Sequence, residues 1–279
     1  MNQVYQIITD QITDKLQHGV VPWRQPWSGT EPTNLISRKP YRGINRLLLG
    51  IAGYASPYWL TYKQAANMSG HVRKGEKSTM VIFWRHVEVT ATAAGGETEP
   101  DTVPILRYYR VFNAEQVDGI AGKVPAEVRN TGDPQAAAET IVEGYANRPS
   151  VEDSGRAAYS PAKDLVYMPP WASFTGGAGY YSTLFHELVH STGHKSRLNR
   201  LDAGNLAAFG SAQYSREELV AELGAAFLCH KAGLLPAVVD NQAAYIGGWL
   251  QALNDDPKLV IQAASKAQAA ADYIQGKAA

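Results

Sequence analysis

The sequence predicts an α+β fold divided into two domains, residues 1–128 and 134–279. A chain of 279 residues exceeds the usual size of one domain, about 150 residues. Two segments of the first half are rich in β-branched and aromatic residues, as strands are, whereas apolar residues at helical spacing dominate the second half. The polar stretch 129–134 between them is typical of a linker. We therefore expect an N-terminal α+β domain with a β-hairpin and a C-terminal, mostly helical domain.

The first half opens with predicted helices. Apolar residues recur at near-helical spacing over 4–16, which predicts an amphipathic helix that Gly19 ends. The following stretch 21–27 contains two prolines, which forbid a regular helix there. A second helical stretch is expected over 41–51, and a short helix over 61–68.

A β-hairpin is predicted next. Segments 78–90 and 105–112 have the composition of strands, and glycine, proline and acidic residues between them predict a flexible loop over 93–104. Beyond the linker, two short strands are expected around 157–159 and 164–167. The predicted helices of the second half cover 135–145, 180–193, 216–232, 243–253 and 259–274.

The composition is that of an ordinary globular protein, with 45% hydrophobic and 19% charged residues. No run reaches the roughly 18 apolar residues that span a bilayer, so we expect no membrane partner. Residues 1–10 are polar and acidic, unlike a secretory signal. The single cysteine, Cys229, excludes an intramolecular disulfide and fits a reducing compartment, which predicts a cytoplasmic location.

The net charge of zero hides an asymmetry along the chain. The 26 Lys+Arg balance 26 Asp+Glu overall, yet residues 15–87 hold 11 basic residues and two acidic ones, Glu31 and Glu76. The second half is acidic in turn, because residues 130–279 contain 11 basic and 15 acidic residues. A local excess of positive charge attracts a polyanion. The first half is therefore a candidate partner of nucleic acid.

Aromatic residues alternate with the cations of this basic stretch. Non-specific binding of single strands needs cations for phosphates and aromatic rings on which bases stack. This pattern predicts single-stranded DNA as the partner of the first domain. The candidate DNA-binding residues are Trp23, Arg24, Trp27, Arg42, Asn45, Lys63, Arg73, Lys74, Lys77 and Tyr109.

The strongest motif is HELVH at 186–190. Residues four apart share one face of a helix, so His186 and His190 can bind one metal ion. Glu187 then faces the open coordination position, where a carboxylate can take a proton from water. Glu187 is the candidate general base, and Zn²⁺, or another divalent ion such as Mn²⁺, is the expected cofactor.

A catalytic zinc site needs a third protein ligand. The position at which a metzincin has its third histidine is occupied by Ser196. His194 follows His186 by eight residues, about 12 Å along an unbroken helix, so only a break at Gly193 would bring it to the same ion.

The predicted helix 216–232 offers better candidates. Glu218 and Glu222 lie four residues apart on one face, and a carboxylate from a second helix completes the His₂Glu set of gluzincins. By likeness to gluzincin helices, Glu218 is the ligand and Glu222 supports the first histidine from the outer shell, with the reverse assignment as the alternative. Small residues at 221 and 224–226 would allow this helix to approach the first closely.

These motifs together resemble the ArdC family of antirestriction proteins. In the second half the resemblance lies in YYSTLFHELVHSTGH at 180–194 and EELVAELGA at 217–225. In the first half it lies in YRGIN at 41–45, RKGEKS at 73–78 and YRVFN at 109–113. The resemblance implies an N-terminal single-stranded-DNA-binding domain and a C-terminal zincin-like metallopeptidase domain. It also implies a protein of conjugative plasmids and phages that protects incoming DNA from restriction.

Three hypotheses about function follow. In the first, the protein binds DNA and is also a zinc peptidase, with a protein or peptide substrate that pairs with the edge of strand 164–167. In the second, DNA binding protects the DNA and the metal site is structural or catalytically silent. In the third, the first half recruits other conjugation proteins, as a primase-associated or transfer-helper domain.

Overall fold

The computed structural model describes residues 3–24, 31–92, 98–126, 132–201, 212–234 and 242–277. The chain forms two compact units. The helical unit consists of Met1–Glu31, Arg42–Leu47 and Val128–Ala279, and the sheet unit consists of Pro32–Tyr41 and Leu48–Glu127. Helices and strands in two units confirm the predicted α+β class. The units are not consecutive along the chain, and the predicted domains 1–128 and 134–279 stay a prediction.

The elements are defined by these bounds. The helices are α1 (Gln3–Gln17), α2 (Ile44–Gly50), α3 (Tyr62–Asn67), α4 (Pro134–Glu143), α5 (Gly177–Thr192), α6 (Ala212–Ala232), α7 (Gln242–Asp255) and α8 (Leu259–Ile274). The strands are β1 (Thr33–Asn34), β2 (Tyr58–Thr61), β3 (His71–Val72), β4 (Thr79–Thr92), β5 (Thr98–Asn113), β6 (Val117–Asp118), β7 (Ser150–Asp153), β8 (Ala158–Ser160) and β9 (Leu165–Met168). A short 3₁₀ turn covers Pro22–Arg24.

The sheet unit is organised around a four-stranded sheet in the order β1-β2-β5-β4. Neighbouring residues of β2 point to opposite faces, so Trp59 and Leu60 belong to different core clusters. Strands β4 and β5 form the predicted hairpin. The predicted loop over 93–104 is wrong for 98–104, which pairs with 86–92 as the first half of β5. The prolines of this segment cannot donate a backbone hydrogen bond. Among the described strands, β2 pairs with β5 only at 111–113, so residues 98–104 have β4 on one side and an open edge on the other, where proline is tolerated.

The helical unit is centred on α5, which packs against α6 and α8. Gly224 of α6 lies against Val189 of α5, where a Cβ atom would meet the valine side chain at 2.7 Å. The predicted close approach of the two helices is confirmed. Helix α1 packs against α7, and the three-stranded sheet β7-β9-β8 contacts α5.

The three-stranded sheet corrects one expectation. Strand β9, predicted to offer a free edge to a peptide, pairs with β7 in parallel and with β8 in antiparallel orientation. Its backbone groups are therefore used on both sides, and β7 was absent from the sequence prediction. Within the described residues the edge strands are β7 and β8, and β8 is in contact with α5. None of the described helices is long and apolar enough to cross a membrane.

Candidate metal centre and aromatic face

Helix α5 carries the two histidines on one face. It begins at Gly177 and buries Leu184, Phe185, Leu188 and Val189 against the rest of the helical unit. The Nε2 atoms of His186 and His190 lie 3.0 Å apart, and both side chains are mostly buried. The spacing of one helical turn therefore brings both imidazoles to one point, as predicted.

Helix α6 brings Glu218 to the same point. Its Oε2 atom lies 3.4 Å from Nε2 of His186, and its Oε1 atom lies 3.4 Å from Nε2 of His190. A tetrahedral ion with bonds of about 2.0–2.1 Å holds its ligand atoms about 3.3 Å apart. The two nitrogens lie 3.0 Å apart, and each lies 3.4 Å from one of the two carboxylate oxygens, so the three side chains fit a divalent cation. His186, His190 and Glu218 are also the metal-competent cluster found among the described residues.

The donor set is two imidazole nitrogens and one carboxylate, which suits zinc and manganese alike. Three protein ligands leave a coordination position open, as catalytic sites do. Glu187 lies between the two histidines on α5 and is 8% exposed. His194 is not part of this cluster, and its Nδ1 atom lies 2.7 Å from the hydroxyl of Ser196.

A second layer of charge surrounds the histidines. Oε1 of Glu217 lies 3.5 Å from Nδ1 of His190, the ring nitrogen opposite the proposed metal. Arg200 donates to Glu217 through Nε at 3.0 Å and Nη2 at 2.8 Å, and also to the Val189 carbonyl and the Thr192 hydroxyl. This chain of contacts fixes the imidazole ring from behind. Sequence reasoning missed Arg200 and Glu217, although Glu217 is the direct neighbour of Glu218.

The pKa values of the cluster show how it favours positive charge. Burial lowers the pKa of both imidazoles, but hydrogen bonds to Glu217 and Glu218 outweigh it and raise the pKa of His190 to about 10. The pKa of His186 is raised in the same way by Glu218. Burial raises the pKa of Glu218, but the two imidazoles hold it well below its ordinary value. The carboxylates thus give the site a negative charge that a bound cation can neutralise.

Glu222 has a different partner from the one expected. Both of its oxygens accept hydrogen bonds from Arg24, at 2.6 Å from Nη2 and at 3.2 Å from Nε. A contact with His186, the outer-shell role predicted for Glu222, is not among those of the described side chains. The nearest outer-shell carboxylate of the cluster is Glu217, which contacts the second histidine instead.

The sheet unit exposes aromatic rings on the β4–β5 hairpin. Val81 pairs with Tyr109 and Phe83 with Arg107, so these side chains and Arg85 share one face of the sheet. Phe83 is 46% and Tyr109 48% exposed, with ring centroids 5.6 Å apart. Tyr41, mostly buried, lies 6.3 Å from Phe83. The name aromatic face is used below for the surface formed by Tyr41, Val81, Phe83, Arg85, Arg107 and Tyr109.

A pocket of about 380 Å³, open to solvent, lies at the aromatic face. Asn34 and Thr61 supply its polar wall, but both are engaged within the protein. Asn34 accepts from the Ile36 and Ser37 backbone and donates to Tyr41, and Thr61 caps α3. Besides these engaged groups, the lining contains the exposed side chain of Arg85 and the rings of Phe83, Trp84 and Tyr109.

The structure divides the predicted DNA-binding residues between the two units, and two of those in the helical unit are corrections. Trp23 is fully buried and packs edge-on against Trp249 of α7 at 4.9 Å, so no face of its ring is open to a base. Arg24 is also buried, in its ion pair with Glu222. Sequence reasoning placed both on the surface because it counted their charge and aromaticity without their partners. Trp27 lies outside the described residues.

Two more predicted residues belong to the helical unit. The guanidinium of Arg42 is exposed but hydrogen-bonds Asp272 of α8, while Asn45 is buried. The backbone N–H of Gly43, between them, donates to Gln268. This segment is thus held by the helical unit.

The remaining predicted residues lie on the sheet unit. Lys63, Lys74, Lys77 and Tyr109 are exposed, and each can reach a ligand in solvent. Arg73 is exposed as well but donates to Glu76 at 2.6 Å. Phe83 was missed by sequence reasoning, because the strand register that places it beside Tyr109 was not known.

Comparison with known families matches both halves of the chain. Residues 2–112 match the N-terminal domain of the anti-restriction factor ArdC, and residues 136–266 match the zincin-like metallopeptidase family. The chain is also similar to the crystal structure of the antirestriction protein ArdC from R388 plasmid, in metal-free and Mn(II)-bound forms. The metal-free structure is 39% identical with a TM-score of 0.78, covering 97% of this chain and 96% of the other. The Mn(II)-bound structure is 38% identical with the same TM-score, covering 98% and 97%.

Two relatives extend this picture. An uncharacterized protein of Sinorhizobium fredii, y4eC, is 36% identical over 98% of this chain and 92% of its own. DNA primase TraC of Escherichia coli is 34% identical over 96% of this chain, which spans only 26% of TraC. Fold and site together define a two-domain protein with a zincin-like metallopeptidase domain. Within that class, the chain belongs to the ArdC family of antirestriction proteins.

Proposed function

We propose that this protein binds single-stranded DNA without sequence preference and thereby protects incoming plasmid or phage DNA from restriction. The aromatic face of the sheet unit is the observation that carries the proposal. Phe83 and Tyr109 offer exposed rings beside Arg85 and Arg107, and base stacking with nearby cations is how single strands are bound non-specifically. The engaged state of Asn34 and Thr61 fits the lack of sequence preference.

Binding of labelled oligonucleotides to the full chain tests this function. In the double variant F83S/Y109S we expect affinity for a single-stranded 15-mer to fall at least about tenfold, because each stacked base contributes roughly 1–3 kcal/mol. The variant W171S is the matched control, since Trp171 is 45% exposed but belongs to the helical unit. Equal affinity of F83S/Y109S and wild type would discard the aromatic face as the base-binding surface.

We further propose that the helical unit is a metallopeptidase with His186, His190 and Glu218 as ligands. A divalent ion bound there would supply Lewis acidity toward a peptide carbonyl. Glu187 serves as the general base, since it lies between the two ligand histidines and contributes to the raised pKa of both. Strand β8 is the edge to which an extended substrate would add, because it contacts α5 and has a partner on one side in the described sheet.

Hydrolysis of labelled casein by Zn²⁺- or Mn²⁺-loaded protein tests the peptidase. We expect E187Q to lower turnover by at least 100-fold, within the usual contribution of a general base. Turnover that is insensitive to E187Q would reject Glu187 as the base. If the wild-type chain cleaves nothing while transfer into a restricting host is still protected, the metal site is catalytically silent and DNA binding alone protects.

The similarity to part of DNA primase TraC favours one other candidate, a module that assists conjugative transfer. It would recruit transfer proteins rather than DNA. Failure of the full chain to bind oligonucleotides at low salt would favour this function over the proposed one. In every case we propose that the protein acts in the cytoplasm, where a single buried Cys229 stays reduced.

A further inference from the structure

Two glutamates of α6 could complete the metal site, and the fold distinguishes them. Glu218 and Glu222 are separated by one helical turn, and both are mostly buried. Only Glu218 has its oxygens free to approach the histidines, at 3.4 Å from each. The carboxylate of Glu222 is held by another side chain, and that partner decides which of the two glutamates is available to the histidines.

The residue that holds Glu222 is Arg24, which is 198 positions away in the sequence. Its guanidinium donates to both carboxylate oxygens, and the two side chains are 7% and 14% exposed. Trp23 anchors this arginine, because its fully buried ring packs against Trp249. The turn Pro22–Arg24 also contacts α6 directly.

Such a pair acts on the metal site in two ways. A planar guanidinium engages both oxygens of a carboxylate at fixed angles, so Glu222 cannot rotate toward the histidines without losing two charge-assisted hydrogen bonds. The positive charge beside Glu222 also repels a second cation from that carboxylate. Glu218 has no such partner among its described contacts, which are with the two histidines.

We propose that Arg24 is a positioning residue of the metal centre. It holds Glu222 away from the ion, reserves the third ligand position for Glu218 and keeps the fourth position open. This inference rests on the proposed metal centre and adds to it a residue from the N-terminal segment, outside the zincin-like match. Loss of Arg24 would free a fourth protein donor and add negative charge near the ion, so the expected change is a tighter site.

Cobalt binding to the full chain tests the proposal, because the absorption of Co²⁺ reports its coordination. In R24Q we expect a changed Co²⁺ spectrum and at least about tenfold tighter binding, since affinity rises with the charge of the ligand set. In R24Q/E222Q both properties should return to wild type, because no free carboxylate remains. A merely structural role of Arg24 would weaken binding and would not be rescued by E222Q.

Three controls make the outcome decisive. E222Q alone should leave the spectrum unchanged, and a loss of Co²⁺ binding there would overturn the proposal by making Glu222 the ligand. R24M removes both the charge and the hydrogen bonds to Glu222 and replaces R24Q if that variant does not fold; a wild-type spectrum in the variant that folds overturns the proposal. R216Q removes an exposed arginine of α6 and should change nothing. Absence of Co²⁺ binding by wild type would instead overturn the metal centre itself.

Discussion

The basic side chains of the two units have opposite environments. In the helical unit Arg24, Arg46, Arg197 and Arg200 are nearly buried, each in an ion pair with a carboxylate. In the sheet unit Lys63, Lys74, Lys77, Arg85 and Arg107 are exposed to solvent. A buried charge is tolerated only when an opposite charge is paired with it, whereas an unpaired, exposed cation can attract an anionic ligand. The charge of this chain therefore has two uses, one internal and one external.

This contrast changes the meaning of the basic stretch 15–87. Four of its 11 basic residues, Lys15, Arg24, Arg42 and Arg46, belong to the helical unit. The last three are neutralised by Glu222, Asp272 and Glu31. An attraction for a polyanion would therefore come mainly from the sheet unit, and variants of the two units should separate metal binding from the proposed DNA binding.

The largest effect is expected from loss of a metal ligand. E218Q replaces the carboxylate ligand with a neutral, weaker amide oxygen, so we expect Mn²⁺ affinity to fall by more than about 100-fold. Calorimetry of the full chain measures this. Oligonucleotide affinity should not change, and a parallel loss would break the contrast between the units.

A smaller loss is expected behind His190. E217Q and R200Q should each weaken Mn²⁺ binding about 10- to 100-fold, because the imidazole loses the carboxylate that orients it. R197Q removes another buried arginine of the same segment, one that pairs with Asp164. If R197Q weakened metal binding as much as R200Q does, the loss in R200Q would reflect disturbed packing of this segment and not the contact between Glu217 and His190.

The exposed arginines of the aromatic face should affect DNA alone. In R85Q/R107Q we expect the slope of log affinity against log salt to fall by about 1.4, the value for two phosphate contacts with a single strand. Titration of a labelled 15-mer at several salt concentrations measures the slope. An unchanged slope would place the phosphate contacts on other cations of the sheet unit.

The smallest effect on either ligand is expected from Arg42. Its side chain is 61% exposed, but its partner Asp272 is buried, so R42Q should lower the free energy of unfolding by about 1–3 kcal/mol and leave the salt slope unchanged. Urea denaturation and the same titration measure the two quantities. A reduced slope would return Arg42 to the DNA-binding surface that its sequence position first indicated.

Local patterns predicted what depends on local spacing. The histidines one turn apart, the helices around them and the β4–β5 hairpin all follow from periodicity. The partner of Arg24 could not be predicted, since no local pattern connects residues 198 positions apart. Likeness to gluzincin helices favoured Glu218 over Glu222 as the ligand. The partners of Glu217 and Glu222 could not be predicted, because they depend on which residues of other segments face each position of the helix. The aromatic face needed the strand register as well.

The discontinuous helical unit has a consequence for folding during synthesis. Helix α1 emerges from the ribosome before the other elements described, yet its partner is α7, and the hydroxyl of Thr9 donates to the carbonyl of Pro257. The sheet unit is complete once Glu127 has emerged, long before the helical unit can close. Contacts between such distant residues form slowly, because a long loop must close before they can contribute. The nascent chain would therefore contain a folded sheet unit before the helical unit has formed. During that time the apolar side of α1, with Ile8 and Ile12, would be exposed to solvent, because its C-terminal partners have not yet been synthesised.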